Sequence, residues 1–337
     1  VKQGLKEERK VTYAVIEKPT GVLEGLGNRE KVWMSHKDIV FELSGEFEIL
    51  ASAENCPIAA FEHKNRQIYG LQWNPEVKQT ENGMKMLKNF VFNICKCRQS
   101  WKIEEIAENA IQEIRQIAGN KKAIIALSGG IDSSTATALA AKAIGRNLTA
   151  IFVDNGFMRE NELEFVRQTF EKLNINLIIV DAKQRFLEKL SGITDPEQKR
   201  ILIGKEFIKV FEEVAKKIGA EFLIQGTIYP DRIESGNRRH SEKIKTYHNV
   251  CGLPARVEFK GIIEPLKDLY KDEVRRVAEF LGMPKKIVWR QPFPGPGLAI
   301  RIIGEVTPEK IQILRRCEEI VAEELEKSGV SEDLWQY

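Results

Sequence analysis

Hydrophobic and polar residues follow two different periods over residues 121–290 of the chain. Short apolar runs rich in β-branched residues predict four buried strands, at Ala123–Leu127, Leu148–Val153, Asn176–Val180 and Glu221–Gln225. The stretches between them have apolar residues at helical spacing and predict helices at Ser133–Ile144, Glu160–Leu173 and Asp195–Ile218. This alternation predicts right-handed βαβ units, and therefore a parallel sheet with helices on both faces.

Residues 1–97 have a different pattern, in which short β-like runs alternate with turn residues. The runs lie at Thr12–Ile16, Val32–Met34, Phe47–Leu50, Ile58–Phe61 and Ile68–Gln72. An amphipathic helix is predicted after them at Asn82–Ile94, and a second one over residues 100–118 leads into the next unit. A strand-rich segment closed by one helix is typical of the last part of an α/β unit.

The composition indicates a globular protein of two domains. The chain has 337 residues, of which 42% are hydrophobic and 30% are charged. Its net charge of +3 is too small to indicate a nucleic acid partner, and no apolar run resembles a membrane span or a signal peptide. Five scattered cysteines favour a reducing compartment, so we expect a cytoplasmic protein. Because the chain begins at Val1 and stops just after an amphipathic helix, we expect both ends to be cut.

The clearest chemical signal follows the first strand of the 121–290 region, at Ser128-Gly-Gly-Ile-Asp-Ser-Ser134. The first amides of a helix lack partners and lie at the positive end of its dipole, so this position favours phosphate. Gly129 and Gly130 let a polyphosphate approach the backbone, and three serine hydroxyls add donors. Asp132 is an anion beside an anion, which makes sense if Mg²⁺ bridges the two. The alternative is an ordinary glycine turn before a helix capped by Ser or Asp.

The loop resembles the PP-loop of the N-type ATP pyrophosphatases, Ser-Gly-Gly-x-Asp-Ser. These enzymes split ATP between the α and β phosphates and adenylate an oxygen of their substrate. The resemblance implies an ATP site and a Mg²⁺ ligand, Asp132. The implied ATP-binding residues are Ser128, Gly129, Gly130, Ile131, Asp132, Ser133, Ser134, Val153 and Asp154. For Val153 and Asp154, which end the second strand, a plain strand-end turn is the alternative.

A series of further stretches resembles, in the same order, the glutamine-hydrolysing GMP synthetase family. They are Phe152–Arg159, Asp195–Arg200, Gln225–Ser235, Ile244–Pro254, Glu264–Val274 and Arg290–Leu298. The resemblance covers essentially the whole chain. It implies an α/β fold in three parts: the C-terminal part of a class I glutamine amidotransferase domain at 1–97, a Rossmann-like ATP pyrophosphatase domain with a parallel sheet at 98–289, and the truncated start of a C-terminal dimerisation domain at 290–337.

The same resemblance implies a ligase of purine nucleotide biosynthesis. In that family ATP and Mg²⁺ serve to adenylate xanthosine 5′-monophosphate (XMP), and ammonia from glutamine then displaces AMP to give GMP. The implied partners are therefore XMP, ATP, and glutamine or ammonia, with neither nucleic acid nor membrane. The family forms homodimers, which is doubtful for a chain cut in its dimerisation domain.

Four residues outside the loop are weaker candidates, and each has a structural alternative. Arg200 is the candidate for the XMP phosphate, against a plain surface arginine on a helix. Lys245 is the candidate for another phosphate, in a polar stretch, Gly236–Tyr247, that would close over the site or remain a solvated loop. Asp231 and Glu234 are a possible second metal contact, with N-capping of a short helix as the alternative.

The amidotransferase resemblance is carried by Gly70–Val77, which is similar to a triad strand that normally reads Gln-Phe-His-Pro-Glu-Val. Asn74 stands at the His position, and an amide cannot act as the general base for a thiol. Glu76, the remnant of this triad, would only orient that His. The Gly-x-Cys-x-Gly elbow is absent, so we expect no glutamine hydrolysis by this chain and a core role for Cys56. The stretch Trp33–Asp38 is similar to a loop of the same domain.

Two other functions remain open on the sequence. One is another PP-loop adenylating ligase, of the NAD synthetase or tRNA-thiolation type; the tRNA enzymes would need a basic RNA-binding module and a cysteine pair near the site, and neither is seen. The other is a non-catalytic nucleotide-binding protein, which Asn74 and the cut ends suggest. Pyrophosphate release that depends on XMP separates the synthetase from the second alternative.

Overall fold

The computed structural model describes residues 1–171, 173, 175–234, 259–330 and 334. The chain divides into two compact units, Val1–Ser100 and Trp101–Tyr337. The division that we propose at residue 97 lies close to this boundary, whereas the one proposed at residue 290 falls inside the second unit.

The first unit is built on an antiparallel sheet of five strands in the order β2-β1-β3-β4-β5. The strands are β1 Lys2–Ile16, β2 Arg29–Ile39, β3 Phe47–Ala53, β4 Cys56–His63 and β5 Tyr69–Leu71. Each overlaps one of the predicted runs, and β1 and β2 extend well beyond theirs. Along β2 the side chains of Val32 and Met34 are fully buried while their neighbours face outward, as expected for a strand with one covered face.

Two stretches of the first unit differ from their predictions. The helix predicted at Asn82–Ile94 consists of α1, Gly83–Lys88, followed directly by a π-helical segment, Asn89–Ile94. The stretch Trp33–Asp38, which the resemblance assigned to a loop, lies inside β2, because its alternating pattern of burial suits a strand that pairs along β1.

The second unit contains a parallel sheet of five strands in the order β10-β9-β6-β7-β8. Its strands are β6 Ala123–Ala126, β7 Leu148–Asp154, β8 Asn176–Asp181, β9 Phe222–Ile224 and β10 Gly261–Ile263. All four predicted strands are present, and the predicted parallel sheet is confirmed. The edge strand β10 was missed, since three residues are too short to show a period.

The helices of the second unit lie before, between and after its strands. They are α2 Ile103–Ala118, α3 Ile131–Ile144, α4 Glu162–Phe170, α5 Lys183–Lys189, α6 Pro196–Ile218, α7 Tyr229–Glu234, α8 Lys271–Phe280, α9 Lys285–Val288 and α10 Pro308–Ser328. The predicted bounds of α6 are right because both ends carry clear signals. Asp195 accepts a hydrogen bond from the Gln198 amide at 2.8 Å, Pro196 begins the helix, and Gly219 ends it in the left-handed conformation.

Helices cover both faces of the parallel sheet, as predicted. One core contains Ile114 of α2, Leu139 of α3, Val166 of α4 and Val277 of α8. The other lies on the opposite face and is formed with α5, α6 and α10. Strand β7 is buried along its whole length because it lies between the two layers. Within the described part of the chain, no helix combines the length and the apolarity needed to cross a membrane.

Candidate active site

The order of the parallel strands reverses at β6. From β6 the chain continues to β7 and β8 on one side, and then to β9 and β10 on the other. In open parallel sheets, ligands bind beyond the carboxyl ends of the strands at such a reversal. The loops after β6 and β9 meet here, since a Cβ on Gly226 would lie only 2.9 Å from the carbonyl carbon of Asp132. The predicted PP-loop therefore lies at the position where this fold class places its ligand.

Two serine hydroxyls fold the PP-loop back onto the first turn of α3. Ser133 Oγ accepts a hydrogen bond from the Ser128 amide at 3.2 Å and lies 2.9 Å from Ser128 Oγ. Ser128 Oγ in turn accepts from the Gly130 amide at 3.3 Å. These bonds bring two hydroxyls to the N-terminus of α3, beside the first amides of that helix.

The N-terminus of α3 has no side-chain cap. The helix begins at Ile131, two residues earlier than predicted, and its N-cap is Gly130. Because the N-cap residue has no side chain to accept from the first-turn amides, an anion can take that place. The alternative of a helix capped by Ser or Asp is therefore not what the structure shows.

Asp132 lies in this first turn, and its two carboxylate oxygens have different surroundings. Oδ2 accepts a hydrogen bond from Lys271 of α8, whereas the buried Oδ1 has no partner among the residues that the structure describes. Burial raises the pKa of Asp132, against the opposing effect of Lys271. A carboxylate oxygen without a partner, beside the amides of a helix N-terminus, is suited to a hard cation held jointly with a phosphate.

Ser134 differs from the two serines of the loop. Its side chain is fully buried, and its Oγ has no hydrogen-bond partner within the described residues. Its amide donates to the Gly130 carbonyl at 3.0 Å, which closes the first turn of α3. The predicted phosphate contact by Ser134 stays a prediction.

Gly129 adopts a left-handed conformation, with φ of +75°. A Cβ at this position would lie 2.6 Å from Glu162 Oε1, so only glycine fits. Arg290 holds the same carboxylate: its Nη1 donates to Glu162 Oε1 at 2.7 Å, and its Nη2 donates to Glu162 Oε2. Arg290 Nη1 also donates to the Gly129 carbonyl at 3.2 Å. An ion pair from outside the loop therefore contacts the loop backbone directly.

Val153 and Asp154 end β7 at the same edge of the sheet. Val153 is buried, and Asp154 accepts a hydrogen bond from the Gly156 amide at 3.0 Å. The other oxygen of Asp154 lies 3.1 Å from Lys183 Nζ, and this hydrogen bond raises the pKa of Lys183. The structure thus contains the strand-end turn, and the predicted contact with adenosine stays a prediction.

The weaker candidates have local partners. Arg200 Nη2 donates to Glu197 on the same helix at 2.9 Å. Asp231 accepts from the Ile228 amide at 3.0 Å at the start of α7, which is a capping contact, and Glu234 is the last residue of that helix. Lys245 and its whole stretch lie outside the described residues. No group of three or more His, Cys, Asp or Glu able to hold a metal occurs in the described ranges.

A C-terminal segment, residues 290–318, borders the site in a way that the sequence did not predict. The Leu298 amide donates to the Phe157 carbonyl at 2.7 Å, and Arg315 donates to the carbonyls of Gly156 and Met158 at 2.7 and 2.9 Å. These bonds fix the turn that follows β7. Nothing local marks such contacts, because they join residues more than 130 positions apart.

In the first unit, Asn74 takes the place predicted for a catalytic His. Its Nδ2 donates to Glu76 Oε1 at 2.8 Å, and this bond lowers the pKa of Glu76. Two hydrogen bonds hold the Asn74 backbone. The Asn74 amide donates to the Trp33 carbonyl, and the Thr80 hydroxyl donates to the Asn74 carbonyl at 2.6 Å. Cys56 is fully buried in the core, as predicted.

Two family models match the chain. The class-I glutamine amidotransferase model matches residues 1–94, and the NAD synthase model matches residues 102–295. Since the second match spans more than half of the chain, the chain belongs to the NAD synthase family. The predicted mixed α/β fold class is confirmed.

Two curated relatives of this chain carry a more specific name than the family model, GMP synthase (glutamine-hydrolyzing). The enzyme of Caldicellulosiruptor saccharolyticus is 56% identical over 315 residues, covering 93% of this chain and 61% of that protein. The enzyme of Clostridium tetani is 52% identical over 328 residues, covering 97% and 64%. The chain thus spans less than two thirds of the length of these relatives. The predicted resemblance to GMP synthetases is confirmed.

Among solved structures, the NMN synthetase of Francisella tularensis superposes with a TM-score of 0.46 at 16% identity. The superposition covers 64% of this chain and 94% of that one.

Proposed function

We propose that this chain forms the ATP-dependent part of a GMP synthase, a ligase that adenylates XMP and aminates the product to GMP. The observation that carries the proposal is the uncapped N-terminus of α3 with its serine hydroxyls, at the reversal point of the sheet. Relatives at 52–56% identity that are named GMP synthases support the choice of reaction.

The residues of the loop suit the departure of pyrophosphate. The 2-oxo group of XMP attacks the α phosphorus of ATP, the bond to the β phosphate breaks, and negative charge grows on the leaving pyrophosphate. The amides of the first turn of α3 and the hydroxyls of Ser128 and Ser133 would hold that charge. Val153 and Asp154 would border the adenosine.

Asp132 is the proposed ligand for Mg²⁺. Its buried Oδ1 has no partner among the described residues, and carboxylate oxygen is the donor that this ion prefers. When bound, Mg²⁺ neutralises phosphate charge. A single protein carboxylate suffices for this role, because Mg²⁺ at nucleotide sites takes its other ligands from phosphates and water.

The acceptor side of the site is proposed from two residues. Arg200 is the proposed contact to the XMP phosphate, and Lys245 is the second proposed phosphate contact on the substrate side. Arg200 would have to exchange its bond to Glu197 for the nucleotide, which a half-exposed ion pair permits at small cost. We further propose that the protein works in the cytoplasm as a homodimer.

Ammonia is the proposed nitrogen source. An amide at position 74 cannot take a proton from a thiol, so the amidotransferase unit would not release ammonia from glutamine. Glu76 keeps its place and its charge but has no imidazole to orient.

Pyrophosphate release by the full-length protein tests this proposal. ATP, Mg²⁺, XMP and an ammonium salt should together give stoichiometric pyrophosphate, AMP and GMP, with little release when XMP is omitted. Asp132→Asn, which keeps the size of the side chain but removes its charge, should lower kcat/KM for ATP by about tenfold or more. Release that is independent of XMP but dependent on another adenylatable acceptor would instead identify a different PP-loop ligase.

A further inference from the structure

An ion pair between Glu162 and Arg290 lies beside the PP-loop. Glu162 lies in the first turn of α4, with its side chain 5% exposed, and Arg290 lies between α9 and the turn at Gly297–Arg301, with its side chain 18% exposed. The two side chains meet through two parallel hydrogen bonds, the arrangement in which arginine binds a carboxylate most specifically. The guanidinium also stacks on the Phe165 ring, 4.7 Å from its centroid.

This pair contacts the loop on two sides. Arg290 donates to the Gly129 carbonyl at 3.2 Å, and Glu162 Oε1 occupies the space that a Cβ on Gly129 would need. The left-handed conformation of Gly129 turns the loop, so that the Gly130 amide meets Ser128 Oγ. The ion pair therefore supports the one residue whose conformation determines how the loop meets α3.

We propose that Arg290 and Glu162 are positioning residues for the polyphosphate, which set the PP-loop in its binding conformation before the nucleotide arrives. The proposal rests on the proposed ATP site and adds to it a residue pair that lies outside the loop. Arg290 has a second effect, because it neutralises a buried carboxylate that would otherwise stand beside the phosphates. Without Arg290, that unpaired charge would both disorder the loop and repel ATP.

The two effects predict an order of severity among variants of the full-length protein. Arg290→Met leaves Glu162 buried and unpaired, and should raise the KM for ATP about tenfold or more, with the KM for XMP changed by less than about twofold. Arg290→Lys keeps the charge but cannot make the two parallel bonds, so it should restore only part of the affinity. The double variant Arg290→Met with Glu162→Met removes the unpaired charge, and should bind ATP better than Arg290→Met alone.

Loop order can be measured without any activity, by amide hydrogen exchange of peptides that cover residues 127–133 in the absence of nucleotide. Arg290→Met should exchange faster there than the unmutated protein. The matched control is Arg185→Met, because Arg185 makes two bonds to Glu213 and pairs with the buried Glu206 on α6, away from the loop. It removes a similar ion pair but should change neither loop exchange nor the KM for ATP.

The outcomes separate this inference from the proposed function. If the unmutated protein releases pyrophosphate with XMP, but Arg290→Met leaves both the KM for ATP and loop exchange unchanged, the inference is wrong and the function stands. If Arg290→Met raises that KM without faster exchange, Arg290 contacts the nucleotide directly and positioning is wrong. If the unmutated protein is inactive, faster exchange in Arg290→Met still supports positioning of the loop, whereas unchanged exchange overturns it.

Discussion

At position 74 the chain carries a carboxamide where the amidotransferase resemblance implies an imidazole. Asn74 donates to Glu76 at 2.8 Å, and that bond lowers the pKa of Glu76. What Asn74 lacks is a nitrogen that can accept a proton near neutral pH. The neighbour that Glu76 binds at position 74 therefore cannot act as a base.

In a protein that also carries the Gly-x-Cys-x-Gly elbow, which residues 1–337 lack, Asn74→His should allow use of glutamine. A positioned general base contributes about 10²–10⁴-fold, so we expect GMP formation supported by glutamine to rise by at least about tenfold. Formation supported by ammonia should not change, which serves as the internal control. Asn74→Ala removes the bond to Glu76 without adding a base and should give no gain. Equal rates with glutamine and ammonia before mutation would contradict this account.

The thiol of Cys56 should be unreactive. Burial, with a smaller effect of the Glu8 charge, raises its pKa to about 11, so almost no thiolate is present at pH 8. Iodoacetamide at that pH should modify the exposed Cys95, Cys97 and Cys317 and leave Cys56 intact, as read by peptide mass spectrometry. In denaturant all of them should react. Modification of Cys56 in the native protein at the rate of Cys95 would show that this core opens.

At the residue scale, a sequence predicts which side chains lie close together best where chemistry and position coincide in one short stretch. Ser128, Asp132 and Ser133 do so, because the strand before them and the helix after them bring all three to one place. The Arg290–Glu162 pair is as close to the loop, but its members are separated by 128 positions in the chain. No local period or spacing reports such a contact, so only the folded structure shows it.

At the scale of elements, α3 and the loop after β9 approach each other closely because Gly226 has no side chain. A Cβ there would lie 2.9 Å from the Asp132 carbonyl carbon and 3.0 Å from the Ser133 amide nitrogen. Both neighbours are backbone of the first turn of α3, so they cannot move aside without displacing that turn.

Gly226→Ala should therefore disturb the ATP site through backbone displacement alone. We expect kcat/KM for ATP to fall by about ten- to a hundredfold, because a small displacement of the backbone near the reacting groups can lower the rate by that much. Gly45→Ala is the control, since an added Cβ at Gly45 meets nothing within 4 Å. An unchanged kcat/KM in Gly226→Ala would show that the α3 turn adapts freely.

The bounds of helices and strands could be predicted best where the residues at their ends carry clear start and stop signals. Helix α6 has Asp, Pro and Gly at its ends, and its predicted bounds agree with the structure. Helix α4 begins at Glu162, two residues after the predicted start, following Asn161 in a left-handed conformation without a side-chain cap. Strand β10 has three residues and depends on its pairing with β9, so its sequence alone carries no strand signal.

At the scale of the whole molecule, the sequence predicted the class of each unit better than the way in which distant segments join. The alternation of strands and helices indicated the parallel sheet. It did not indicate that residues 290–318 return to the turn after β7. Nor did it indicate the contacts of Lys199, which is fully buried in α6 and donates to the carbonyls of Ile302 and Gly304 at 2.7 and 2.6 Å. Residues 290–318 therefore pack within the second compact unit, and the domain start proposed at residue 290 stays a prediction.

This arrangement predicts how the protein can be divided. Every described contact of the candidate ATP site comes from residues 128–318, within the second compact unit. A deletion variant that begins at residue 98 should therefore bind α,β-methylene-ATP with an affinity within about threefold of that of the intact protein, measured by calorimetry. Removal of everything after residue 289 should abolish binding, because Arg290 and Arg315 leave with it. Loss of binding in the first deletion, with its far-UV spectrum and thermal transition retained, would contradict a site formed by the second unit alone.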